Sequence, residues 1–131
     1  MDSAQDYDTL IKGGKIDTMD AERRVIDNGI ITISGNRIQE IFSPDELPNH
    51  HKAGKILHAD GKVIIPGLIN AHSHIAMTLF RGFVEDLELY KWLERVWQYE
   101  LSALNEESVL AGSKLAFAEM IHSGVTCVHD M

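Results

Sequence analysis

Two histidines one residue apart, His72 and His74, follow the run Val63-Ile64-Ile65-Pro66-Gly67-Leu68-Ile69-Asn70-Ala71. Side chains alternate across an extended strand, so positions i and i+2 point the same way. The two imidazoles are therefore expected to project together near the C-terminal end of a buried strand, where α/β barrels and open α/β sheets keep their active sites. Neutral imidazole is the commonest metal ligand, and two on one strand suit a zinc ion at about 2.0–2.1 Å. The spacing alone leaves a ligand and a filler reading open: with 7 histidines in 131 residues, chance supplies roughly 0.4 pairs of this kind. The adjacent His50-His51 lies in a polar stretch and is expected to be solvated. His58, His122 and His129 stand singly, as hydrogen-bonded fillers do.

Glu100 is the second residue of interest. Leu89, Leu93, Val96 and Glu100 recur at spacings of four, three and four, one face of a helix. A carboxylate on that apolar stripe is costly unless it is partnered, although a helix ending near Tyr99 would leave it in solvent. Trp97 on the same segment is expected in the core. Arg81-Gly82 follows the histidines as a surface or structural contact, and Asp130 stands at the tip of a later strand as a supporting residue. Cys127, the single cysteine, sits among apolar residues and is expected to be a buried thiol.

The elements that must position these residues divide into two kinds. Residues 1–61 read as short strands and turns, a small antiparallel β-sandwich portion. Gly13-Gly14 marks one turn, and Gly35-Asn36 is the tip of a hairpin between Ile30-Ile31-Thr32-Ile33 and Ile38-Gln39-Glu40-Ile41. Residues 43–54 hold two prolines and are expected to be a loop, with Lys55-Ile56-Leu57-His58 a strand beyond it. Residues 62–131 follow a strand, helix, helix, strand order. The β-branched run before the histidines suits a strand buried on both faces. The second helix is predicted from about Asn105, a good N-cap, to Ser123, with Gly124 as its stop. Val125-Thr126-Cys127-Val128 then reads as a second buried strand, which makes an α/β unit with a crossover. Two parallel strands do not make a domain, so the second half reads as the opening of a larger α/β fold, truncated here or completed by another chain.

Composition narrows the partners. Twelve basic against 20 acidic residues give a net charge of -8, which disfavours nucleic acid and anionic membrane. One cysteine excludes an internal disulfide and fits a reducing compartment. The N-terminal residues lack the apolar core of a signal peptide, no stretch reaches the roughly 20 apolar residues of a membrane span, and the expected location is cytoplasmic.

The run from Val63 to His74 resembles the first barrel strand of the amidohydrolase superfamily. Met77-Thr78-Leu79-Phe80-Arg81-Gly82, then Leu89, Trp92-Leu93, Trp97 and Glu100, are similar to the branch of 5-methylthioadenosine/S-adenosylhomocysteine deaminases and triazine chlorohydrolases. Leu115-Ala116-Phe117-Ala118-Glu119-Met120-Ile121-His122-Ser123-Gly124-Val125-Thr126 and Asp130-Met131 continue the likeness. The resemblance implies the start of a TIM-type (β/α)8 barrel, its first two strands and intervening helices, after a small β-sandwich segment. It implies one divalent metal, zinc or ferrous iron, with His72 and His74 as its first two ligands. It also implies Glu100 as acceptor for ribose hydroxyls and Trp92 as a packing surface for substrate. The family's other ligands and its proton-transfer groups match no position here, so no catalytic residue is assigned in this segment.

The expected function is the N-terminal part of a hydrolytic deaminase of adenine-type nucleosides (S-adenosylhomocysteine, 5-methylthioadenosine, adenosine), inactive alone, and homo-oligomeric in full-length form or finished by a completing chain. A triazine chlorohydrolase, a guanine deaminase type, or a catalytically dead assembly module are the alternatives. Glu100 favours a ribosyl substrate, because a free base offers no vicinal diol.

Overall fold

The computed structural model describes residues 5–47 and 51–131, with backbone only for Gln5 and His51. The chain packs as two compact units, Met1–Pro66 and Gly67–Met131. The expected solvation of His50-His51 falls outside the described residues and side chains.

In the first unit, β1 (Gln5–Lys12), β4 (Ile30–Ser34), β5 (Arg37–Phe42) and β6 (His51–His58) form one sheet in the order β5-β4-β1-β6. A smaller sheet has β2 (Lys15–Asp17) between β3 (Val25–Asp27) and β7 (Val63–Ile64). The hairpin at Gly35-Asn36 forms as predicted. Gly35 takes a φ of 59°, a turn conformation in which glycine meets no Cβ penalty.

Two expectations fail here. The sheets are mixed rather than antiparallel, because β6 joins β1 in parallel and β7 joins β2 in parallel. Residues 51–54 are strand rather than loop, since β6 begins at His51 and follows β1 from Gln5 onward. Neither pairing has a local signal, because the partners, such as Thr9 with Lys55 and Ile16 with Ile64, lie nearly fifty residues apart along the chain. The core of this unit is Tyr7, Leu10, Ile16, Ile30 and Ile31, with Thr32 fully buried among them. Thr32 avoids an unpaired hydroxyl: its Oγ1 donates to the Glu40 carbonyl at 3.2 Å and accepts from the Glu40 N–H at 3.1 Å.

In the second unit, β8 (Leu68–Ser73) lies parallel to β9 (Val125–Asp130), and α1 (Leu89–Ala103) and α2 (Glu106–His122) fall between them in sequence. The run of aliphatics before the histidines is thus two strands. Pro66 and Gly67 end the segment paired with β2 before the segment paired with β9 begins. The Asn105 side chain accepts from the Ser108 N–H at 3.0 Å, the Ser108 hydroxyl returns to the Asn105 N–H, and Gly124 follows the helix with φ of 83°.

The expected double burial of these strands does not occur. Leu68 is 47% exposed and Ile69 71%, and Cys127 is an exposed thiol. Among the described residues β8 and β9 form a two-stranded sheet, so apolar side chains that suit a larger sheet have nothing to pack on. Trp97, expected in the core, is 58% exposed, because the buried side of α1 is set by Val96 one position earlier.

Packing in this unit centres on Ile75, Val96 and Ala116. Gly112 brings α2 against the short 3-10 segment Ile75–Phe80: a β-carbon there would lie 2.7 Å from the Ala76 carbonyl oxygen. Alanine is the better helix former by about 1 kcal/mol, but overpacking against backbone costs roughly 1–3 kcal/mol. Gly112→Ala is therefore expected to destabilise, by about 1 kcal/mol, and a thermal melt reads the sign. An unchanged or raised midpoint would show that the two segments separate freely.

Candidate metal and substrate site

β8 does not carry the histidines on a regular ladder. Asn70 pairs with Val128 and Ser73 with Asp130, so three steps along β8 match two along β9. The extra residue makes a local bulge, offset over the whole strand by an opposite shift between Leu68 and Ile69, and such irregularities re-aim side chains at the rims of sheets. Within the bulge the Asn70 Oδ1 accepts from the His72 N–H at 3.3 Å, a side-chain turn typical of asparagine. His74 then leaves the strand (φ -123°, ψ 78°) and heads the 3-10 segment.

The result places the two imidazoles side by side. Their ring centres are 5.2 Å apart, their planes are 83° apart, and both residues are exposed. Two imidazoles sharing one tetrahedral zinc ion, each nitrogen about 2.0–2.1 Å from it, put their ring centres roughly 5 Å apart. The observed spacing fits that arrangement. Among the described residues no third histidine, cysteine or carboxylate joins them to complete a cage.

The end of β9 holds this corner from the other side. The Asp130 Oδ1 accepts from the Ile75 N–H at 2.7 Å, and the Met131 N–H donates to the Ser73 carbonyl at 3.0 Å. Asn70 had no assigned role in the sequence reading, although an asparagine two residues before a histidine is itself a turn signal.

Glu100 and Trp92 both lie on α1. The helix runs on to Ala103, so Glu100 is interior to it, half-buried, one turn beyond the buried Val96; its carbonyl accepts from the Leu104 N–H at 3.2 Å. Leu93 is half-buried on the same stripe, whereas Leu89 is 65% exposed and drops out of it. Trp92 lines a cavity of about 150 Å³ with Met77, Phe80, Phe83, Val96 and Tyr99. The Phe83 and Tyr99 rings meet edge to face at 4.1 Å and fix the loop against the helix.

Arg81, at the same cavity, makes a two-point ion pair with Glu119 of α2 (3.0 and 2.6 Å). The guanidinium holds the Glu119 carboxyl below its ordinary value. Any stability this pair contributes is present above the ordinary carboxylate pKa and is lost as pH falls through the lowered one.

The sequence profile of the Amidohydrolase family matches residues 63–131, more than half of the chain and the stretch that carries every residue of this site. The chain belongs to the amidohydrolase family. This amidohydrolase chain is 43% identical over 116 residues to the 5-methylthioadenosine/S-adenosylhomocysteine deaminase of Halothermothrix orenii, covering 87% of the chain and 27% of the relative. It is 42% identical over 125 residues to the 5′-deoxyadenosine deaminase of Methanococcoides burtonii, covering 95% of the chain and 28% of the relative. It superimposes with a TM-score of 0.92 on the crystal structure of an adenosine deaminase from Xanthomonas campestris with bound zinc. That match is 29% identical and covers 98% of this chain and 30% of the other. The chain thus spans little more than a quarter of the length of the curated relatives it matches.

Proposed function

We propose that this chain is the N-terminal part of a metal-dependent hydrolytic deaminase acting on adenine-type nucleosides such as S-adenosylhomocysteine, 5-methylthioadenosine, adenosine or 5′-deoxyadenosine. The observation that carries the reading is the facing of His72 and His74 at 5.2 Å at the end of β8, in a chain whose relatives are named as deaminases of such nucleosides. The fold we assign is the opening of a (β/α)8 barrel, β8 and β9 being its first two strands.

His72 and His74 would hold one divalent ion, zinc or ferrous iron. When bound, such an ion activates water by lowering its pKa toward about 7. The reaction is hydrolysis: oxygen from water replaces the amino group on the purine ring, and ammonia leaves. The chain's own residues orient and bind. The bulge at β8 aims the imidazoles, Glu100 accepts hydrogen bonds from the ribose hydroxyls, and Trp92 offers an aromatic face for packing. Two imidazoles fall short of the three protein ligands usual for catalytic zinc. We therefore assign the remaining ligands and the proton-transfer groups to the part of the protein that this chain does not span, and take the 131 residues alone to be inactive.

The test is an assay of the full-length protein on 5-methylthioadenosine and S-adenosylhomocysteine, following ammonia release and conversion of the adenine chromophore. Turnover that a chelator abolishes and zinc restores supports the reading. Turnover of a free guanine base or a halogenated triazine, with none of the nucleosides, would replace it.

A further inference from the structure

We infer that Asp130 is a positioning residue for the histidine pair, acting through the backbone amide of Ile75 and not as a metal ligand. The inference rests on the metal-binding reading of His72 and His74 given above. Its basis is the way consecutive residues at the end of β9 grip the chain on either side of His74. The Met131 N–H donates to the Ser73 carbonyl, and the Asp130 carboxylate accepts from the Ile75 N–H.

The two bonds differ in what they ask of the sequence. Any non-proline residue at position 131 supplies the first, because it is backbone to backbone. The second needs a side-chain acceptor of short reach at position 130. It also spans 55 residues of sequence, so no local turn propensity supplies it.

Ile75 makes the bond matter. The residue is 5% exposed, and an amide in such a place needs an acceptor supplied by the protein. It is also the first residue of the 3-10 segment, where the amide lacks a partner within the turn, and the His74 side chain that heads the segment forms no cap. Without Asp130 the bulged end of β8 would keep its Ser73 tie but lose the hold on the far side of His74. The His74 ring would then be free to leave the 5.2 Å arrangement with His72. Residues that orient metal ligands from outside the coordination shell typically contribute 10–100-fold to metal affinity.

The experiment measures zinc affinity of the full-length protein by competition with a chromophoric chelator, for wild type, Asp130→Ala, Asp130→Asn and His72→Ala. Far-UV circular dichroism confirms that each variant folds. Asparagine keeps a side-chain carbonyl for the Ile75 amide but carries no charge. Loss of affinity by about 10-fold or more in Asp130→Ala, with Asp130→Asn within a few-fold of wild type, is the expected result. A second readout needs no metal: a ring-proton nuclear Overhauser effect between His72 and His74 should be present in wild type and Asp130→Asn and weakened in Asp130→Ala.

Equal losses in the alanine and asparagine variants would overturn the inference, since charge or direct ligation would then be the cause. Wild-type affinity in Asp130→Ala, with His72→Ala weakened, would overturn it while leaving the metal reading intact. Wild-type affinity in His72→Ala would remove the metal reading and this inference with it.

Discussion

Replacing His72 or His74 by alanine is expected to weaken zinc binding by the full-length protein more than about 100-fold, because even outer partners of metal ligands contribute 10–100-fold. The proposed deaminase activity is expected to fall with the metal. The fold should survive. Within these 131 residues neither imidazole is part of the packed core, which centres on Ile75, Val96 and Ala116. Lost metal and lost structure can therefore be separated in one preparation, by zinc content after dialysis and by the thermal midpoint of the metal-free form. Full zinc stoichiometry in either variant would remove the assignment of the pair as ligands. A collapsed midpoint in the metal-free form would instead mean that the imidazoles brace the bulge of β8.

The second large effect concerns Glu100. In the full-length protein, Glu100→Ala is expected to lower kcat/KM for ribosyl substrates by roughly 100-fold while leaving a free base within a few-fold. A hydrogen bond to a charged group contributes about 1.5–3 kcal/mol, and each 1.4 kcal/mol is a factor of ten, so one such bond to a ribose hydroxyl already accounts for much of that loss. Glu100→Gln, which keeps an acceptor without the charge, should lose less. The structure sharpens the expectation. Glu100 is interior to α1, half-buried and one turn from Val96, a position where a carboxylate is costly without a partner. Parallel kinetics on 5-methylthioadenosine and adenine decide it, and equal losses on both would assign Glu100 to the helix rather than to the sugar.

Elements governed by short-range chemistry were legible from residue types. The hairpin at Gly35-Asn36, the cap at Asn105 and the stop at Gly124 each depend on groups within a few positions of one another. The position of Arg81 as a structural contact was also readable, though its partner Glu119, 38 residues on, was not. What misled the sequence reading was burial. Val63 to Ile69 and Val125 to Val128 have the composition of core strands, yet Ile69 and Cys127 are exposed, because composition records which surroundings a residue suits and not whether they are present. The same confusion placed Trp97 inside and put Leu89 on the buried face of α1.

The spacing of His72 and His74 left a ligand and a filler reading open, and only the resemblance of Val63 to His74 to a barrel strand favoured a metal-binding pair. Neither could specify how far apart the rings would stand, since strand alternation assumes an unbroken ladder and the pairing with β9 contains a bulge. That bulge, the 5.2 Å spacing and the hold of Asp130 on the Ile75 amide all follow from the register of two strands far apart in the chain. Register is set by packing and hydrogen bonding across the whole unit, which no window of neighbouring residues contains.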